Sequence, residues 1–156
     1  MADSVITAEM EAAIGVEGPA VVAEVTTTGI RMFARGVGYT DLIFYDEQEA
    51  KQRGYGGLVA PPGYLGTPIY RPGAERQSEP GQGFKTPYKR VLNGATRYQY
   101  FAPVIAGDVI RSRSKVTEFR EREGSIGPML ITYRETTFTN QDGVVVAKMY
   151  GNGIQY

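Results

Sequence analysis

Histidine and cysteine are both absent from this chain of 156 residues. Without cysteine there are no disulfides and no thiol nucleophile, a composition that fits a reducing compartment. Without histidine the chain lacks the side chain best matched to proton transfer at neutral pH. A zinc site loses its usual ligands, and a Ser-His-Asp triad is excluded within the chain. Any acid–base chemistry falls to Asp, Glu, Tyr or Lys, or to another subunit. Net charge is missing too: 17 basic residues balance 17 acidic ones. No general electrostatic footprint for nucleic acid exists. The stretch MADSVITAEMEAAIGVEG carries acidic residues and no basic region ahead of an apolar core, so it does not read as a secretory signal. No apolar run reaches the length of a membrane span. The expectation is a soluble, cytoplasmic protein with no metal and no cofactor of its own.

What is present reads as one domain over residues 1–156. The chain is 42% hydrophobic, ordinary for a globular protein. Thr7 is placed to cap a short helix over Ala8–Ile14, and Val21–Val25 fits a short strand. Thr26, Thr27 or Thr28 can cap a helix to Val37, whose apolar residues Ile30, Phe33, Ala34 and Val37 fall at helical spacing. Asp46 caps another helix to Arg53. Residues 62–69 are nearly free of charge and follow Pro61 and Pro62, which fit a helix's first turn. A buried apolar helix is expected there. Arg71 to Arg90 is a long Pro- and Gly-rich loop, of the kind used as a lid or left disordered.

From Ala95 the pattern turns to strands separated by Gly-containing turns, and Asn140-Gln-Asp-Gly143 reads as a hairpin loop. Successive strands joined by short turns predict an antiparallel meander. Helices apart from an antiparallel sheet give the α+β class. A long central apolar helix wrapped by a curved antiparallel sheet is the hotdog arrangement; a cystatin-like or other α+β roll fits the same pattern.

Four segments then bring a family into view: FARGVG (33–38), DEQEAKQRGYGGLVAPP (46–62), YQYFAPVIAGD (98–108) and GPMLITYRETTFTNQDGVVVA (127–147). In this order and spacing the chain resembles the MaoC-like dehydratases and hydratases, and among them the N-terminal, non-catalytic branch of two-domain or two-subunit enoyl-CoA hydratases. The resemblance implies a hotdog fold that assembles by joining the sheets of two hotdogs. It implies acyl thioesters of coenzyme A or acyl carrier protein as substrates. Active members add water to a trans-2-enoyl double bond, or remove it from the 3-hydroxy compound.

Their motif resembles A-x-x-x-G-D-x-N-P-x-H, in which Asp and His hold and activate water. Water is a poor nucleophile, so a base must take its proton and an acid must protonate the neighbouring carbon. Here the stretch reads from Ala34 through VGYTDLIFYD (37–46). Tyr39 stands where the Asp would be and Phe44 where the His would be. Phenylalanine cannot transfer a proton, and a tyrosine with a pKa near ~10 is a poor base. The implied catalytic set is therefore empty, with Tyr39 and Phe44 as the vacated positions. Asp41 is the nearest carboxylate, either a shifted base or a capping residue.

Other residues carry weaker signals. Pro62 and Gly63 either present helix N-terminal amides to a thioester carbonyl or simply start a helix. Tyr64 is a candidate for the acyl pocket. Asn93 and Gly94 precede the strand as a small turn, or lie near a pantetheine arm. Arg111, Arg113 and Lys115 alternate on one strand face. They either meet coenzyme A phosphates or form a solvated face paired with glutamates.

The expectation is a non-catalytic hotdog subunit that shapes an acyl tunnel. Its partner, in a homodimer or heterodimer, would supply the Asp/His pair, and a coenzyme A thioester is the expected substrate. The alternatives are a stand-alone thioesterase using Asp41, and an acyl-CoA binding module without catalysis.

Overall fold

Threonine and aspartate caps start the helices where the sequence places them. The structure is a computed structural model and describes residues 4–67, 84–125 and 127–156. Helix α1 spans Ala8–Ala12, with the Thr7 hydroxyl accepting the Met10 N–H at 3.2 Å. Strand β1 is Val21–Glu24. Helix α2 spans Thr27–Val37, with Thr26 Oγ1 accepting the Gly29 N–H at 3.0 Å. It ends at Gly38, whose φ of +82° is a left-handed conformation that glycine adopts without steric cost. A 3-10 turn covers Leu42–Phe44, and helix α3 covers Glu47–Gln52 behind an Asp46 cap. After a second 3-10 turn at Tyr64–Gly66 come β2 (Val91–Tyr100), β3 (Val109–Gly124), β4 (Gly127–Thr139) and β5 (Val145–Gln155).

The five strands form one antiparallel sheet in the order β1-β3-β4-β5-β2. Strands β3, β4 and β5 make the expected meander. The β4–β5 loop closes as expected, with Asn140 Oδ1 accepting the N–H groups of Asp142 and Val144. Strand β2 departs from it: it pairs with β5, not with its chain neighbour β3. The connection after it is no tight turn. Val104 is 3% exposed there, its carbonyl accepts the Ala60 N–H at 2.7 Å, and Ala106 donates to Leu58 at 2.9 Å. Burying these apolar residues accompanies the passage of the chain from the β2 edge across the sheet to β3, which lies between β1 and β4.

One cluster of the core joins Ile30 and Ala34 of α2 to Ile110, Phe138 and Val146 of the sheet. A second, around Met10, Val116, Phe119 and Leu130, seats α1 and takes in Phe84 and Tyr88 from the end of the Pro/Gly-rich segment. The two edges differ. On β3, β1 is continued by Gly15 N–H to the Val116 carbonyl and Gly18 N–H to the Ser114 carbonyl, both 2.8 Å. Strand β2, ten residues long and mostly exposed, pairs with no strand on its other side among the described residues.

The apolar stretch expected as a helix at residues 62–69 is described only to Thr67. There the chain makes a single 3-10 turn, because Gly63 sits at φ +88°, outside the helical region. The longest described helix is α2, which is amphipathic. Residues 68–83, including most of the long loop, lie outside the described residues. Asn93 and Gly94 lie inside β2, not before it, at a register shift. The Asn152 side chain accepts the Ala95 N–H there at 3.2 Å. It would sit 1.8 Å from any Cβ at position 94, so a side chain and this hydrogen bond cannot share the space. No described helix is long and apolar enough to cross a membrane.

Candidate functional site

The left-handed Gly38 turns the chain back on α2, and Tyr39 N–H closes onto the Ala34 carbonyl at 2.9 Å. The Tyr39 carbonyl in turn accepts the Tyr45 hydroxyl at 2.6 Å. These bonds fix Tyr39 beside Phe44, with ring centroids 5.6 Å apart. Phe44 is 8% exposed and belongs to the main core. The two vacated positions are therefore brought together, and aromatic contact occupies the space between them.

Asp41 is otherwise engaged. One oxygen caps the 3-10 turn by accepting the Ile43 N–H, and the carboxylate pairs with Arg53 at 3.0 Å. Arg53 also grips Glu49 at 2.8 Å. A helix cap and an ion pair thus both engage the Asp41 carboxylate, as the capping reading expects.

Two phenols hold the peptide between Pro62 and Gly63. The Tyr39 hydroxyl lies 3.5 Å from the Pro62 carbonyl, a long contact. The Gly63 N–H donates to the Tyr100 hydroxyl at 2.9 Å. The Gly63 amide is thus already spent inside the protein. Tyr64 packs edge-on against Phe33 at 5.8 Å.

Beside these residues opens a cleft of about 430 Å³. Ile43, Phe44, Val59, Pro62 and Val104 supply apolar wall, and Tyr55 and Tyr100 supply the phenols. Among the described residues, no charged side chain lines it. That size and character suit a small, largely apolar ligand. Tyr100 and Tyr55 are the site residues that sequence reasoning missed. The aromatic run in YQYF was the available signal, but only the fold turns Tyr100 toward Gly63.

Tyr98 and Tyr100 stack at 5.9 Å. Burial raises the Tyr98 pKa, and the neighbouring Tyr100 raises it further. Burial likewise raises that of Tyr100; the Gly63 bond works against it and Tyr39 adds to it. A phenol with a raised folded-state pKa contributes stability below its unfolded pKa and loses it as pH rises through the folded value. Spectroscopic titration above pH ~10 is expected to show a late-ionising class of tyrosine. Tyr100→Phe should shrink that class, and an unchanged titration would contradict this assignment.

The remaining candidates lie elsewhere. Arg111, Arg113 and Lys115 alternate opposite to Ile110, Ser112 and Ser114, on the sheet's outer face. Arg113 pairs with Glu17 at 3.7 Å, and Lys115 and Lys148 both approach Glu135, at 3.4 and 3.2 Å. Asn93 and Gly94 are on the β2 edge. None of these residues lines the cleft.

A curled five-stranded antiparallel sheet with helix α2 on its core side is a hotdog fold, the fold of a solved MaoC-like dehydratase that superposes with a TM-score of 0.71 at 19% identity, covering 93% of this chain and 42% of that one. The model of the FAS1-like dehydratase domain region matches residues 12–149, and the chain belongs to that family. It is 34% identical to a UPF0336 protein from Parafrankia sp. over 76% of this chain and 75% of that one. A UPF0336 protein from Thermobifida fusca is 30% identical, over 80% and 79% of the two chains. Among solved structures, a chain of the ChsH1-ChsH2 complex from Mycobacterium tuberculosis superposes with a TM-score of 0.77. Identity is 18%, covering 96% of this chain and 88% of that one. A chain of the HadBC (3R-hydroxyacyl-ACP dehydratase) complex from the same organism gives 0.70 at 23% identity, covering 91% and 96%.

Proposed function

We propose that this chain is the non-catalytic subunit of a heteromeric enoyl-thioester hydratase or 3-hydroxyacyl-thioester dehydratase. Its substrate is an acyl thioester of coenzyme A or acyl carrier protein, and it uses no cofactor of its own. The observation that carries this reading is the Tyr39–Phe44 contact. It fills the place where active members resemble one another in holding water between Asp and His. The partner, a second hotdog chain, supplies that pair. Two features support the pairing. Among the described residues, strand β2 offers a long unpaired edge, which calls for a second sheet or a protective device. Both solved neighbours named above are complexes of two chains. The apolar cleft is this subunit's share of the acyl tunnel. The engagement of Asp41 by Arg53 favours this reading over a stand-alone thioesterase.

The experiment is a purification of the chain alone, and together with a candidate partner hotdog chain that carries the Asp/His motif. Each is assayed with trans-2-enoyl-CoA and with saturated acyl-CoA. The expected result is hydration by the mixture only. Asp41→Asn should leave that rate unchanged. Thioester cleavage by the chain alone, lost in Asp41→Asn, would overturn the proposal. Amides of β2 should also exchange more slowly with solvent deuterium in the complex than in the free chain.

A further inference from the structure

The Tyr100 hydroxyl has an acceptor's role and a donor's capacity. A phenol has one proton to give and lone pairs to accept with. Its oxygen takes the Gly63 N–H at 2.9 Å, and among the described residues no acceptor takes its proton. Tyr100 also lines the cleft. Burial favours its neutral form, so the proton stays in place at neutral pH.

We propose that the Tyr100 hydroxyl donates a hydrogen bond to the carbonyl oxygen of an acyl thioester whose hydrocarbon part lies in the cleft. This rests on the reading that the chain handles acyl thioesters. The Gly63 amide cannot meet that carbonyl directly, because it is already bonded to Tyr100. It acts through the phenol instead. The chain N–H to O–H to O=C aligns two dipoles, and each bond polarises the next.

The rest of the wall selects the remainder of the ligand. Ile43, Val59 and Val104 offer only apolar surface. A carboxylate or phosphate would find no cation among the described lining residues to offset its desolvation. A neutral carbonyl next to hydrocarbon meets one donor and apolar walls. The ligand is bound and not turned over here, because Tyr39 and Phe44 provide no acid–base pair. Tyr100 is thus a binding and positioning residue.

The test measures binding of two probes to the full chain by calorimetry. One is the hexanoyl thioester of N-acetylcysteamine. The other is the S-hexyl thioether of the same amine, which lacks the carbonyl. The chain is expected to bind the thioester about tenfold more tightly, the worth of one net hydrogen bond. Tyr100→Phe should bind both probes alike, at the thioether's affinity, while Tyr55→Phe keeps the preference. Equal binding of the two probes by the native chain, or binding of neither, overturns the proposal. So does a preference that survives in Tyr100→Phe or disappears only in Tyr55→Phe. The native comparison decides the matter even if a variant fails to fold. Its outcome is also separable from that of the proposed function. A chain that restores hydration to its partner but shows no carbonyl preference loses this inference alone. One that shows the preference but restores no activity loses the subunit role alone.

Discussion

Phe44→Ala is expected to remove about 3–5 kcal/mol of stability, the usual loss for truncating a buried phenylalanine. Phe44 is 8% exposed and belongs to the cluster that joins α2 to the sheet. Truncation leaves a cavity and also strips Tyr39 of its ring partner at 5.6 Å. Domains of this kind have only about 5–15 kcal/mol to lose, so the variant should melt far below the parent. Denaturant unfolding is the measurement, with a lower midpoint at an unchanged slope. Phe44→Leu keeps most of the volume and should lose much less. A loss under about 1 kcal/mol in Phe44→Ala, typical of a surface site, would remove Phe44 from the core. The prediction bears on function as well. In this chain the position assigned to a proton-transferring histidine holds a core residue.

The second large effect is on rate, and it lies in the partner. In the reconstituted complex, replacing the partner's Asp or His is expected to lower hydration by about 10²–10⁴-fold, the usual share of a positioned acid or base. Tyr39→Phe in this chain should leave the rate within about a factor of two, since it loses only a 3.5 Å contact to the Pro62 carbonyl. Steady-state assays of the two complexes side by side decide it. A Tyr39→Phe loss comparable with the partner's would mean that the phenol takes part in proton transfer. In that case the Tyr39–Phe44 pair would no longer count as a vacated site.

Local chemistry made much of the fold legible. Thr7, Thr26 and Asp46 cap helices because short oxygen-bearing side chains reach the free amides one turn on. The Asn140 loop forms for the same local reason. Alternation put Arg111, Arg113 and Lys115 on one face of β3, and strand register sets Glu135 opposite Lys115. Other features escaped. That β2 joins β5 depends on where Val104 and Leu58 find buried surface, which no short window contains. The Asn93–Gly94 irregularity depends on Asn152, 58 residues further along. The Tyr100–Gly63 bond joins residues 37 apart.

The sequence by itself determined what chemistry is missing. A chain with no histidine or cysteine, and with Tyr39 and Phe44 where an acid–base pair is expected, lacks those proton-transfer groups in any conformation. It also determined the α+β class, because strand and helix periodicities are local. Only the tertiary structure decided what fills the vacated place. It packed Phe44 into the core, gave Asp41 to Arg53, bonded the Gly63 amide to the Tyr100 hydroxyl, and made Tyr100 part of the wall of a mostly apolar cleft. Each of these is a contact between distant segments, set by burial and hydrogen-bond satisfaction across the whole domain.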